Sequence, residues 1–264
     1  MLLIAEIGVN HNGRIENAYR LIDAAKESGA DIAKFQLFDS KKLWGDNRIK
    51  HLELRYDDME DLADYCKEVC IEFMCSPFGV AELLFLQPLL KRVKIASGMA
   101  SRKPFMEAVA ETHLPVLLST GMSTLDDIRE SLSMLGHYTP AMFGERNITL
   151  LQCTSSYPCR MEDVNLRVLN TLKFYFNDRC PIGLSDHTTS ITVPIAATAL
   201  GAEVIEKHFT MDRTDEGPDH KSSITPKEFK GMRLAIIEVE AAMGDGHKII
   251  RPCEESLSRQ WGKK

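Results

Sequence analysis

The sequence alternates short apolar runs with amphipathic helical patterns, and this alternation repeats eight times. Residues 2–9 form a strand-like run, and residues 15–28 form a helical pattern with apolar residues at Ala18, Leu21, Ile22 and Ala25. Seven more strands, each with a helical pattern after it, are predicted at 31–37, 71–75, 92–96, 115–119, 148–153, 181–185 and 203–207. Strict alternation indicates a parallel sheet, and a count of eight indicates a closed (β/α)8 barrel.

An open doubly wound sheet is the alternative α/β fold for such an alternation. That fold would need a glycine-rich phosphate-binding turn after its first strand. The first strand is instead followed by Gly8-Val9-Asn10-His11-Asn12-Gly13, and no Walker-type loop occurs in the sequence. We therefore predict an α/β chain with a single TIM-barrel domain at residues 1–250, followed by a tail at 251–264.

Composition excludes several classes of protein. The 264 residues carry a net charge of −6 and no long basic block, so we expect no nucleic-acid partner. No apolar run approaches the roughly 20 residues of a membrane span, so we expect no membrane partner. The N-terminus lacks the basic start of a signal peptide, and the seven cysteines are scattered. These features predict a reduced, cytoplasmic protein.

The segment 183–223 concentrates the residues with the most distinctive chemistry. His187 and His208 each end a predicted strand and lie 21 residues apart, the length of one strand–helix unit. In a barrel they would lie on the carboxyl ends of adjacent strands, where barrel enzymes keep their active sites. His220, Asp186 and Asp219 lie nearby in sequence, and imidazoles with carboxylates can hold a divalent metal. Hydrogen-bonded structural histidines are the alternative.

Two lysines lie inside predicted strands, Lys34 in the second and Lys94 in the fourth. A lysine inside a barrel strand is costly unless it is paired or meets a ligand. Serines and threonines follow other strands, and such groups donate hydrogen bonds to phosphate or carboxylate oxygens. We therefore predict an anion pocket at the carboxyl ends of the strands. The stretch 39–56 is too long for an ordinary connection, so it is predicted to be an irregular functional loop.

The combined motifs resemble the sialic acid synthase family, which includes the N-acetylneuraminate, legionaminate and pseudaminate synthases and spore-coat polysaccharide relatives. The match runs from Met1 to about Arg251. It rests on Ala5 to Gly13, Lys34-Phe35-Gln36, Ser119-Thr120-Gly121-Met122, Gln152 to Ser155 with Tyr157-Pro158, Gly183 to His187, Glu206 to Thr210 and Gly217 to His220.

The resemblance implies a transferase that joins phosphoenolpyruvate to an open-chain N-acylated hexosamine-type sugar, giving a nine-carbon 2-keto-3-deoxy acid and phosphate. It also implies a divalent metal, Mn²⁺ or Mg²⁺, and a homodimer or higher homo-oligomer. By motif matching, the metal ligands would be His187 and His208. Phosphoenolpyruvate would be held by Lys34, Lys94, Ser97, Ser119, Ser155 and Ser185, and the catalytic groups facing the sugar would be Glu6, Tyr157 and Asp219.

Family members usually continue into an antifreeze-like C-terminal domain that supplies an arginine to the acceptor sugar. The sequence ends at Lys264, where the linker to that domain would begin, so we expect a barrel without it. The sugar contacts would then come from the loop around Asp219 and from the stretch 39–56, which contains Lys41, Lys42, Trp44, Asp46, Asn47 and Arg48. The alternative is that a separate protein supplies the missing lid.

Two other functions are compatible with these residues. A Schiff-base aldolase would use Lys94 or Lys207 as its nucleophile. A non-catalytic barrel would bind a sugar and act as a partner subunit.

Overall fold

The computed structural model describes residues 1–136, 147–176 and 180–262. Eight parallel strands form one nearly closed barrel, in the order β3-β2-β1-β8-β7-β6-β5-β4. The strands are β1 (Leu2–Gly8), β2 (Ile32–Leu37), β3 (Glu72–Pro77), β4 (Val93–Ile95), β5 (Val116–Ser119), β6 (Ile148–Cys153), β7 (Ile182–Asp186) and β8 (Val204–His208). The predicted (β/α)8 class is confirmed.

Eight helices follow the eight strands and cover the barrel. They are α1 (Ile15–Glu27), α3 (Tyr56–Glu68), α4 (Val80–Leu86), α5 (Lys103–Glu111), α6 (Leu125–Met134), α7 (Val168–Phe176), α8 (Thr192–Ala199) and α9 (Pro226–Met243). The start of α6 is fixed by a capping box, in which Thr124 N–H donates to Asp127 Oδ2 at 2.7 Å and Asp127 N–H donates to Thr124 Oγ1 at 3.3 Å. The described helices include none long and apolar enough to cross a membrane.

Two short helices occur where the sequence analysis gave only irregular chain. The stretch 39–56 contains α2 (Ser40–Trp44) and a 3-10 turn at Lys50–Leu52. Asp39 caps α2 by accepting from the Lys42 N–H at 3.0 Å, and Gly45 ends it with a φ of 80°. The C-terminal tail contains α10 (Glu255–Gln260), while Lys263 and Lys264 lie outside the described residues.

Strand alternation separates the two apolar layers of the barrel. Odd-numbered residues of β1 such as Leu3 and Ile7 pack outward among the helices, whereas even-numbered Ile4 faces the interior. Six side chains fill the lower interior, namely Ile4, Ile32, Met74, Leu117, Leu151 and Val204. These six residues, the apolar plug, close the amino-terminal half of the barrel. At Gly183 the strands approach so closely that an added Cβ would lie 2.5 Å from the Val204 carbonyl oxygen.

Candidate active site

A polar layer lies directly above the apolar plug. Two residues along a strand return to the same face, so Ile4 is followed inside the barrel by Glu6, Ile32 by Lys34, and Val204 by Glu206. We call this set the polar layer, and its members are Glu6, Lys34, Ser76, Lys94, Ser119, Cys153, Ser185 and Glu206. All eight are 7% exposed or less. The sequence thus puts ionisable groups in a buried ring at mid-barrel.

The four charged members of the polar layer neutralise one another. Lys34 Nζ lies 2.6 Å from Glu6 Oε2 and 3.3 Å from Glu206 Oε2. Lys94 Nζ lies 3.6 Å from Glu206 Oε1 and donates to Ser119 Oγ at 2.7 Å. Buried charges are tolerated only when they are paired and hydrogen-bonded in this way. Lys94 is less tightly ion-paired than Lys34, since its nearest carboxylate oxygen is more distant.

The two buried glutamates titrate in opposite directions. Burial alone would raise the pKa of Glu206, but the ammonium groups of Lys34 and Lys94 outweigh burial and hold that pKa below its usual range. Burial raises the pKa of Glu6, because Lys34 only partly compensates and the charge of Glu206 adds to the effect. Glu206 is therefore the permanent anion of the layer, and Glu6 is the carboxyl that can take a proton.

The two predicted metal ligands lie at the top of β7 and β8, with ring centroids 5.3 Å apart. The backbone carbonyl of Thr154 lies 2.7 Å from His187 Nδ1, and a carbonyl only accepts hydrogen bonds. Nδ1 therefore carries the proton, and Nε2 is left free for a ligand. His208 Nδ1 is buried without a hydrogen-bond partner in the described chain, and burial lowers the pKa of His208 well below normal.

Asp219 and Tyr157 border the same two imidazoles. Asp219 Oδ2 lies 3.7 Å from His208 Nδ1, and burial raises the pKa of Asp219 to about 6. The Tyr157 ring lies over His187 with a centroid distance of 4.0 Å, and about half of this residue is exposed. Gly8 permits the approach of Asp219 to β1, since its φ is 56° and an added Cβ would lie 3.1 Å from Asp219 Oδ2.

The four predicted serines line the same cavity as the two lysines. Ser119 accepts from Lys94, and Ser185 donates to Glu206 Oε1 at 2.8 Å. Ser97 Oγ accepts from the Gly121 N–H at 3.1 Å. Ser155 Oγ is buried and has no hydrogen-bond partner among the described residues. A buried hydroxyl of this kind beside a cavity is suited to receive a ligand oxygen.

All eleven predicted site residues line one cavity of about 610 Å³. They are Glu6, Lys34, Lys94, Ser97, Ser119, Ser155, Tyr157, Ser185, His187, His208 and Asp219. A volume of this size is typical of small-molecule sites. The predicted groups thus share one cavity, and their individual roles stay predictions.

Three residues given weight in the sequence analysis lie elsewhere. His220 does not line the cavity, because its Nδ1 pairs with Thr210 Oγ1 at 2.7 Å and its Nε2 faces Asn12. Asp186 pairs with Lys207 Nζ at 2.6 Å, and Lys207 is fully buried outside the cavity. His220 and Asp186 are structural, and Lys207 has no access to a substrate carbonyl.

The predicted site residues did not include Glu206, Cys153 and Ser76, which also line the cavity. Each lies two residues beyond a plug residue on its own strand, namely Val204, Leu151 and Met74. That period of two was available in the sequence and would have identified all three. Of the apolar side chains that line the cavity, only Trp44 was predicted, because these side chains come from loops rather than strands.

A divalent metal fits His187 and His208 in their donor chemistry. His187 is oriented by a backbone carbonyl, and His208 is held neutral by burial with a nitrogen unpartnered, which is the state that a metal ligand requires. Across the described ranges, no group of three or more His, Cys, Asp or Glu side chains is arranged to hold a metal. The protein thus offers two imidazoles, and oxygen ligands from water or substrate would complete the coordination.

Comparison with known proteins places these residues in a family context. The model of the NeuB family matches residues 21–248. The N,N'-diacetyllegionaminic acid synthase of Campylobacter jejuni is 39% identical, over 94% of this chain and 78% of its own length. The N-acetylneuraminate-9-phosphate synthase of Mus musculus is 36% identical, over 99% of this chain and 76% of its own. A crystal structure of the Leptospira borgpetersenii N-acetylneuraminic acid synthetase superimposes with a TM-score of 0.90 at 32% identity, covering 99% of this chain and 91% of that one.

We expect Asp186→Asn to lower the free energy of unfolding by about 3 kcal/mol, because it leaves the ammonium of Lys207 buried without a carboxylate. Urea denaturation with chelator present measures this, so that no metal contributes. Glu107→Gln is the control, since it breaks the exposed pair between Lys103 and Glu107 and should cost no more than about 0.5 kcal/mol. Equal midpoints for the two variants would refute a structural role for the Asp186–Lys207 pair.

Proposed function

Because the chain belongs to the NeuB family, we propose that it condenses phosphoenolpyruvate with an open-chain N-acylated hexosamine-type sugar, such as N-acetylmannosamine or a relative. The products would be a nonulosonic 2-keto-3-deoxy acid and phosphate. The observation that carries the proposal is the convergence of two lysines, five serines and two histidines in one cavity. Relatives that are N,N'-diacetyllegionaminic acid, N-acetylneuraminate-9-phosphate and pseudaminic acid synthases support it.

In this proposal the polar layer binds phosphoenolpyruvate. Lys94 and Lys34 face its phosphate and carboxylate, and the hydroxyls of Ser97, Ser119 and Ser155 donate to the remaining oxygens. The enol carbon C3 is thereby held toward the histidines, where the aldehyde of the sugar would lie. As the bond between C2 and the phosphate oxygen breaks, the lysines stabilise the charge that develops on the leaving phosphate.

Charge balance supports a divalent metal beside this pocket. Lys34 and Lys94 are already offset by Glu6 and Glu206, so the polar layer is formally neutral. An incoming phosphate and carboxylate would therefore meet little uncompensated positive charge. His187 and His208 would hold the cation, which when bound polarises the aldehyde oxygen and positions the attacking water. Mn²⁺ and Mg²⁺ are the proposed ions.

Asp219 and Glu6 are the proposed proton carriers. The pKa of Asp219 is raised to about 6, which lets its carboxylate accept a proton near neutral pH and return it. It lies beside His208, where the aldehyde oxygen becomes a hydroxyl when C3 bonds to the aldehyde carbon. The pKa of Glu6 is also raised, and Gln36 holds this carboxyl by donating to its Oε1 at 2.8 Å. Glu6 can take the proton of the water that adds to C2.

In the alternative function, a Schiff-base aldolase, the nucleophile would have to be Lys94, because Lys207 does not line the cavity. Burial lowers the pKa of Lys94, as a nucleophilic amine requires, yet Ser119 and Glu206 hold its ammonium. Borohydride trapping with pyruvate would label Lys94 in an aldolase and leave a synthase unlabelled. A cytoplasmic location and a homo-oligomer stay predictions.

The direct test of the function is release of phosphate from phosphoenolpyruvate in the presence of N-acetylated hexosamines. We expect phosphate to appear only with an acceptor and with manganese, together with one equivalent of a 2-keto-3-deoxy acid detected by mass spectrometry. Phosphoenolpyruvate that binds without turnover across the panel would instead favour the non-catalytic partner subunit.

We expect Lys94→Met to weaken phosphoenolpyruvate binding by about 10- to 150-fold, the equivalent of losing one charged hydrogen bond of about 1.5–3 kcal/mol. Isothermal titration calorimetry measures the dissociation constant. Lys103→Met removes an exposed ammonium that does not line the cavity and should leave binding unchanged. Wild-type affinity in a folded Lys94→Met variant would show that this ammonium does not bind the substrate.

We expect His187→Ala and His208→Ala each to abolish tight manganese binding, because either change removes half of the proposed protein ligands. Calorimetry with manganese alone gives the affinity, and circular dichroism checks the fold. His247→Ala, at an exposed site near the C-terminus, is the matched control. If both site variants bind manganese as the parent does, the metal site is assigned to the wrong residues.

A further inference from the structure

The outer part of the cavity differs sharply from the polar layer, because apolar side chains line it. We call these residues the apolar wall, and they are Val9, Phe38, Leu43, Trp44, Ile49, Leu52, Phe78, Met122 and Pro218. Building on the proposed function, we infer that the apolar wall selects acceptor sugars whose far end is uncharged and deoxygenated. A sugar phosphorylated at that end is rejected.

Position within the cavity assigns the wall to the far end of the acceptor. Phosphoenolpyruvate occupies the polar layer, and the reacting aldehyde lies by His187, His208 and Asp219. The rest of the sugar, from C4 to C6, then extends toward α2 and the 3-10 turn at Lys50–Leu52. Methyl or acyl groups at that end would be removed from water by the wall, at about 0.8 kcal/mol per buried CH₂ group.

The apolar wall is held in place by packing and hydrogen bonds within the chain. Val9, Phe38 and Leu52 make a small core of their own, with Leu43 and Ile49 packed against it. Ser40 fastens the loop at two points, since its N–H donates to Glu53 Oε1 at 2.6 Å and its Oγ donates to the Asp46 carbonyl at 2.9 Å. Pre-formed apolar surface favours a matching group without an ordering cost.

The charges around the wall disfavour a phosphate. Among the described lining residues, the only Lys or Arg side chain outside the polar layer is Arg48. Its guanidinium already makes a bidentate pair with Asp46, in which Nε donates to Oδ1 at 2.9 Å and Nη2 donates to Oδ2 at 2.7 Å. Lys42 lies outside the cavity lining, 3.7 Å from both Asp39 and Glu82. A phosphate dianion here would meet no unpaired cation and would approach the carboxylate of Asp46.

Three acceptors that differ only at C6 test the inference. They are N-acetylmannosamine, its 6-deoxy analogue and its 6-phosphate, compared by kcat/KM for phosphate release. We expect the 6-deoxy sugar to equal or exceed the 6-hydroxyl sugar, and the 6-phosphate to fall about tenfold or more below both. Preference for the 6-phosphate, or a tenfold loss with the 6-deoxy sugar, would overturn this inference alone. Absence of turnover with all three would overturn the proposed function with it.

Two variants tie the selection to named residues. Asp46→Asn frees the guanidinium of Arg48 and should raise kcat/KM for the 6-phosphate relative to the parent sugar. Leu43→Ser makes the wall more polar and should reduce the advantage of the 6-deoxy sugar, with KM for phosphoenolpyruvate unchanged. The matched control is Asp245→Asn, which breaks an exposed pair with Arg251 away from the cavity and should alter neither ratio. Unchanged ratios in both test variants would show that the loop does not set the selection.

Discussion

The site depends on one buried cluster of four charges, formed by Lys34 and Lys94 with Glu6 and Glu206. None of the four could be buried alone, since an isolated charge in a protein interior costs several kcal/mol. They come together because β1, β2, β4 and β8 each bring one inward-facing side chain into the cavity above the apolar plug. Strand register thus fixes the positions of these four side chains.

Strand periodicity decides which parts of this arrangement could be predicted from the sequence. Because the side chain period in a strand is two, the plug at Ile4 and Ile32 predicts the layer at Glu6 and Lys34. Long-range pairing is a different matter. No local sequence pattern predicts that Asp186 pairs with Lys207 or that His220 hydrogen-bonds to Thr210, because these partners come together only in the folded chain. The histidines at the strand ends were predictable, and the partner of each was not.

The stretch 39–56 shows the same limit at a larger scale. Its polar composition predicted an irregular loop, yet it forms α2, a 3-10 turn and a small apolar core. The apolar members Phe38, Leu43, Ile49 and Leu52 are spaced neither as a helix face nor as a strand face. Their common surface exists only because Val9 from the first loop and Phe78 from the third pack against them. Such a cluster has no signature in local periodicity.

The polar layer and the apolar wall differ in how well they would tolerate substitution. Glu206 is the carboxylate that both lysines share, so its loss leaves Lys94 without an ion pair among the described residues and destabilises the barrel. The small core beneath the wall is separate from the large core that packs helices on strands. Substitutions at Leu43 or Arg48 alter the rim of the cavity without disturbing the strand register beneath it. The polar layer therefore rests on side chains from several strands, whereas Leu43, Trp44, Ile49 and Leu52 of the apolar wall come from the single loop after β2.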